Sequence, residues 1–147
     1  MEESFTATIE VAKPASEVYR CITQEVARWW GGKDYSGASS ETDDVFVVHH
    51  PGAHYSRQRV VKAIPDKEVV WHVEESGLNW LKDQGEWTDT RMIFLIIWTG
   101  YSSILRFTHE GLVPEKECYA ICSEGWKAVI KEWLLEFINE GKPHFIL

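Results

Sequence analysis

The sequence predicts an α+β fold: a curved antiparallel sheet of six to seven strands wrapped around a long C-terminal helix, with two short helices after the first strand. Three observations carry this. Phe5, Ala7, Ile9 and Val11 alternate with Thr6, Thr8, Glu10 and Ala12, the period of a strand with one buried face. Further strand-like runs, separated by turn dipeptides, follow from Val45 to His109. From Pro114 the period changes to steps of three and four, the stripe of an amphipathic helix. Helices segregated from an antiparallel sheet define the α+β class. A sheet of this width curls through its twist, and a helix in the concavity buries the inner face.

The elements follow in order. After the first strand, Pro14 permits a helix start, and Ser16 is the expected N-cap of a helix over Glu17–Ile22. Thr23 is the expected cap of a second short helix through Val26, Trp29 and Trp30, stopped by Gly31-Gly32. Val45–His50 and Tyr55–Ile64 read as strands joined through Pro51-Gly52. Pro65-Asp66 makes the next turn, Glu68–Glu74 the next strand, and Ser76–Gln84 a polar loop. Thr90–Thr99 and Ser102–His109 pair as a hairpin across Gly100-Tyr101. Cys122, Trp126, Val129, Trp133 and Phe137 then form one helical stripe, which Gly141 and Pro143 end. A helix of about 27 residues is roughly 40 Å long, enough to cross the sheet.

Composition narrows the function classes. A chain of 147 residues without repeat or linker reads as a single domain over 1–147. The formal net charge of -8, with scattered Lys and Arg, opposes nucleic acid and anionic membrane surfaces. The apolar run Met92–Trp98 has seven residues and is too short to span a bilayer. MEESFTATIEV lacks the basic and apolar regions of a secretory signal, so the expected location is the cytoplasm, as a monomer or homodimer. Cys21, Cys118 and Cys122 match neither a disulfide framework nor a C-x-x-C motif. No cofactor motif is present. Eight tryptophans must either fill the core or line a cavity.

Several motifs recur in a familiar order. They are SFTATIEVAKPASEVYRCIT at the start, Trp29-Trp30, then Glu86-Trp87-x-x-Thr90 leading into a strand. Leu105-x-Phe107-Thr108-His109-Glu110-Gly111-Leu112 and Gly125-Trp126 complete the set. Together they resemble the START-like helix-grip (SRPBCC) superfamily, and within it the homologues of the activator of heat shock protein 90 ATPase. The resemblance covers nearly the whole chain. It implies a helix-grip fold and an internal space that, in the superfamily, takes varied apolar ligands, lipids included. A minority of members catalyse reactions there, and some bind protein partners instead. Two departures stand out: Asp89 occupies a position where the family usually has glycine, and Asp43–Tyr55 matches no ligand motif.

The candidate site residues follow from both readings. Trp30, Phe46, Trp71, Trp87, Phe94, Phe107, Trp126 and Trp133 converge if the sheet wraps the helix. They form either a packed core or the wall of a pocket. His109 continues the Leu105 and Phe107 face, and Tyr55 shares a face with Arg57 and Arg59; either is a candidate to orient a ligand. Glu74 and Glu86 are further polar candidates, but no nucleophile, base and orienting group assemble from spacing. A hairpin centred on Pro51-Gly52 places His49 opposite His54, with His50 beside them, yet no third metal ligand is evident. Cys118 and Cys122, four residues apart, share a helix face as buried thiols, a metal pair or an oxidant sensor.

The leading expectation is a non-catalytic cytoplasmic protein that holds a small apolar or aromatic ligand between sheet and closing helix. A stress-related co-chaperone that binds a chaperone is the first alternative, and it requires a surface patch. An enzyme using His109 or a glutamate on an apolar substrate is the second, and it requires a shifted pKa inside the cavity.

Overall fold

The computed structural model describes residues 3–146. One sheet of seven strands organises the molecule: β1 (Phe5–Val11), β2 (Ser36–Gly37), β3 (Val45–His50), β4 (His54–Ile64), β5 (Glu68–Gly77), β6 (Arg91–Trp98) and β7 (Ser103–Glu110). All pairings are antiparallel, in the spatial order β1-β7-β6-β5-β4-β3-β2. The sheet is a meander except that β1 crosses over to pair with β7. Residues directly opposite one another share a face. Thus Ala7, Phe107 and Phe94 line up across three strands, as do Phe5, His109 and Met92. All six are buried.

That helix runs over residues 119–140, 22 residues or about 33 Å. It is shorter than the expected 27 because Pro114–Cys118 form turns, with Lys116 N–H on the Val113 carbonyl and Tyr119 N–H on the Lys116 carbonyl. Glu86 fixes the start point. Its carboxylate accepts the backbone N–H groups of Glu117 and Cys118, both at 3.0 Å, satisfying donors that a helix N-terminus leaves free. Gly141 ends the helix in the left-handed region at φ 71°, its N–H on the Phe137 carbonyl.

Several local expectations are corrected. The first helix spans Ala15–Gln24 with Pro14 at the cap position, and no Ser16 side-chain cap forms. Thr23 bonds back to the Tyr19 carbonyl at 2.7 Å instead of capping the next segment. That segment, Ala27–Gly31, is a π-turn followed by a 3-10 turn over Gly32–Asp34. Its wider winding lets the consecutive Trp29 and Trp30 both bury, whereas an α-helix separates neighbours by about 100°. Strand β5 continues to Gly77, three residues past the expected end, because Ser76 pairs with Ser56 and Gly77 with Tyr55.

Candidate ligand pocket

The C-terminal helix, the β3–β4 hairpin and the loop between β5 and β6 leave an apolar pocket of about 490 Å³. Cys122, Gly125, Trp126, Val129 and Trp133 line it from the helix. Trp30, His50 and His54 form the facing wall, and Leu78, Trp80 and Trp87 contribute from the loop. His144 and Phe145 close one rim: both backbone N–H groups bond the Arg28 carbonyl, at 2.9 and 3.0 Å. The Trp133 ring stacks on His144 with centroids 3.7 Å apart. The helix takes π geometry over Val129–Leu134, where Trp133 leaves the buried stripe and turns toward this rim.

Trp30, Trp126 and Trp87 make a continuous aromatic wall, backed by Trp71 in the core. Trp30 stacks on Trp71 at 6.1 Å and 8°, and meets Trp126 at 5.0 Å. Trp126 in turn stacks on Trp87 at 5.7 Å and 12°. None of the lining residues is Asp, Glu, Lys or Arg, in a chain with 38 such residues (15 Lys and Arg plus 23 Asp and Glu). The pocket therefore favours uncharged ligands, since an unpaired buried charge is strongly disfavoured.

One chain of polar groups behind the wall is fully engaged. The Trp126 indole N–H, which can only donate, meets His109 Nδ1 at 3.0 Å, so Nδ1 accepts and the ring proton sits on Nε2. Nε2–H donates to Thr90 Oγ1 at 2.8 Å, and Thr90 donates onward to the Trp87 carbonyl at 2.5 Å. Burial pushes His109 down to about 3 and keeps it neutral. With both nitrogens satisfied, His109 holds the tryptophan wall in place rather than presenting an acid or base. His54 stands in the pocket against Trp87, centroids 4.9 Å apart, with Nε2 2.7 Å from Ser56 Oγ. Burial, reinforced by His50 and His49, pushes it down to about 3 as well.

The structure brings Trp30, Trp87, Trp126 and Trp133 together around the pocket. Phe46, Trp71, Phe94 and Phe107 lie in the solid core beneath, in edge-to-face or tilted contact within 5.0 Å of one another in the pairs Phe46–Trp71, Trp71–Phe94 and Phe94–Phe107. Tyr55 is displaced from the expected position. With Arg57 and Arg59 it faces the convex side, and its hydroxyl donates to Glu75 at 2.7 Å. Glu74 pairs there with Arg59 at 2.8 Å. The histidine register also differs. The turn holds three residues, Pro51, Gly52 and Ala53, so His50 pairs with His54 and His49 pairs with Tyr55. His49 thus faces away from the other two, and no group of three metal-ligating side chains forms among the described residues.

Sequence reasoning missed Leu78, Trp80, Gly125, His144 and Phe145. Trp80 lies in the segment read as polar loop, and His144-Phe145 follow the helix stop, where no periodicity marks an inward face. Other depressions are more polar, such as the groove between β1 and the helix start lined by Glu3, Glu124 and Lys127. No helix among the described residues is long and apolar enough to cross a membrane.

No protein-family model matches the chain, and comparison with curated proteins finds no match. Solved structures do match. The Aha1 dimer from Colwellia psychrerythraea is similar with a TM-score of 0.75 and 20% identity, over 95% of this chain and 98% of that one. CalU16 from Micromonospora echinospora gives a TM-score of 0.69 at 16% identity, over 97% of this chain and 77% of that one. DynU16, from the dynemicin biosynthetic locus, gives 0.69 at 17%, over 96% of this chain and 49% of that one. At these identities the likeness speaks to architecture. The resemblance found in the sequence motifs therefore holds at the level of fold: the chain has the helix-grip fold, a seven-stranded antiparallel sheet closed around its C-terminal helix.

Proposed function

We propose that this protein binds a small, uncharged, flat aromatic molecule in the pocket beneath the C-terminal helix, without transforming it by acid or base chemistry. One observation carries the reading: a pocket of about 490 Å³ walled by Trp30, Trp87, Trp126 and Trp133, with no formally charged side chain in its lining. Aromatic faces reward offset stacking of another ring by about 0.5–1.5 kcal/mol per pair beyond area burial. His54, His50 and the unpartnered Trp87 indole N–H are polar groups available to orient a carbonyl or hydroxyl. The catalytic alternative, which named His109 or a glutamate, finds little support, because His109 is sealed behind Trp87 and Trp126 with both nitrogens bonded and no glutamate lines the pocket.

Titration with 1,3-diphenylpropan-1-one, followed by tryptophan fluorescence, tests the reading. Saturable quenching is expected, and a ring-carboxylated analogue should bind at least about tenfold more weakly because its charge finds no partner. Equal binding of both compounds, or no saturable change, would remove the pocket as the functional site.

A protein-interaction role has its own support. Ile97 and Trp98 are each 49% exposed, and Tyr101 is 82% exposed, all around the β6–β7 turn. Stimulation of a heat shock protein 90 ATPase, lost in Trp98→Ser, would favour that reading over ligand binding.

A further inference from the structure

One thiol, Cys122, lines the pocket, and a second, Cys118, is buried one helical turn away; the binding reading leaves both without a task. Cys118 occupies the cap position of the C-terminal helix and Cys122 its first turn, with Cys122 N–H on the Cys118 carbonyl at 2.7 Å. Both are free. Cys118 is sealed from solvent, whereas Cys122 lines the pocket. Trp87 supplies the independent observation. It is 95% buried (5% exposed) and lines the pocket together with Cys122, yet its indole N–H has no hydrogen-bond partner among the described residues. A buried donor without an acceptor is uncommon in a folded protein and is a place where an incoming acceptor gains.

The two sulfurs are not equivalent. The neighbouring Cys118 thiol is the main influence holding the Cys122 thiol below its ordinary value. Burial opposes this, Trp87 reinforces it and the Glu86 carboxylate opposes it. Cys118 moves the other way, chiefly through the neighbouring Cys122 thiol, and burial adds to this. The helix N-terminus points its partial positive charge at the same place. Cys21, by contrast, is pushed up to about 11 by burial and lies outside the pocket.

We propose that Cys122 is a covalent capture site: its sulfur adds to the β-carbon of an uncharged α,β-unsaturated carbonyl compound held in the pocket, with the Trp87 N–H receiving the carbonyl oxygen. This rests on the pocket-binding reading above. The step is redox-neutral. The Cys122 thiolate forms the S–C bond, the alkene pair shifts to an enolate whose oxygen accepts from Trp87, and the α-carbon then takes up one proton. The proton lost from Cys122 and the proton gained at carbon balance, so thiol plus enone becomes a thioether ketone. No oxidant or leaving group is involved.

Incubation of the full chain with chalcone, an uncharged aromatic enone, followed by intact-mass and peptide mass spectrometry, tests the proposal. A single adduct at Cys122 is expected, formed at least about tenfold faster than the glutathione adduct under the same conditions, since the thiolate is the reactive form. The saturated ketone 1,3-diphenylpropan-1-one should slow it by competition, and Trp87→Phe should slow it by a larger factor than it weakens binding of the saturated ketone. Adducts at Cys21 or Cys118, or a rate no greater than that of glutathione, would overturn the proposal. Fluorescence separates the two claims. Saturable binding of the saturated ketone with no chalcone adduct refutes covalent capture alone, whereas no binding of either compound refutes the pocket reading as well.

Discussion

Gly125 offers the cleanest perturbation of the pocket. It lies at the pocket mouth on the C-terminal helix, with helical backbone, and a Cβ built there meets nothing within 4 Å. Gly125→Leu therefore places a side chain in open space without moving the backbone. Replacing a helix-interior glycine should raise stability by about 0.5–1 kcal/mol. For a ligand of about 16 non-hydrogen atoms, roughly 0.3 kcal/mol per atom gives about 5 kcal/mol, a sub-millimolar Kd. Leucine at the mouth excludes about four or five ligand atoms, a loss of about 1.4 kcal/mol or tenfold in Kd. Gly125→Ala should keep most of the stability gain with little loss of binding. Urea unfolding and fluorescence titration of the three proteins measure both quantities. Unchanged affinity in a folded Gly125→Leu protein would refute the location of the site, and lowered stability would refute the open geometry around Gly125.

Three further outcomes follow from the same geometry. Thr90→Val removes the acceptor for His109 Nε2–H and the donor to the Trp87 carbonyl, and should cost about 1–3 kcal/mol in urea unfolding; a neutral result would show that the chain of bonds does not hold the wall. His109 has a folded pKa near 3 against an ordinary value of 6.5, so below 6.5 the unfolded chain binds the extra proton. Its contribution is complete above pH 6.5 and is lost as pH falls toward 3, at about 1.4 kcal/mol per pH unit, with His54 adding in the same direction; stability that is flat or rising between pH 7 and 5 would contradict the buried neutral imidazole. Asp89 has φ 68°, so Asp89→Val should cost about 1–2 kcal/mol while Asp89→Gly should cost nothing, read by thermal or urea unfolding.

Asp89 also shows how far local sequence reasoning reaches. Its departure from glycine looked like a break in the motif, yet the backbone keeps the left-handed turn there, one that aspartate tolerates better than most residues. The strands were legible because one buried face imposes period two, and the helical stripe because Cys122, Trp126, Val129 and Phe137 all bury. Helix starts were not. They depend on tertiary partners such as Glu86, which reaches Glu117 and Cys118 from 31 and 32 residues away. The same limit applies to the site. The aromatic set divides into pocket wall and solid core according to depth along the sheet, which spacing does not encode. A single extra turn residue, Ala53, placed His49 and His50 on the opposite faces from those the hairpin reading implied. The rim residues His144 and Phe145 are held by backbone bonds to Arg28, a contact with no periodic signature.

The central claim is that the space under the C-terminal helix is where this protein takes a flat, uncharged aromatic ligand. A crystal structure of the protein with 1,3-diphenylpropan-1-one measures this most directly. The account predicts ring density against Trp30, Trp87, Trp126 and Trp133, with the carbonyl within hydrogen-bond reach of the Trp87 N–H, His54 or His50. Density confined to the outer surface around Ile97, Trp98 and Tyr101, or a pocket closed by its own repacked tryptophans, would contradict it.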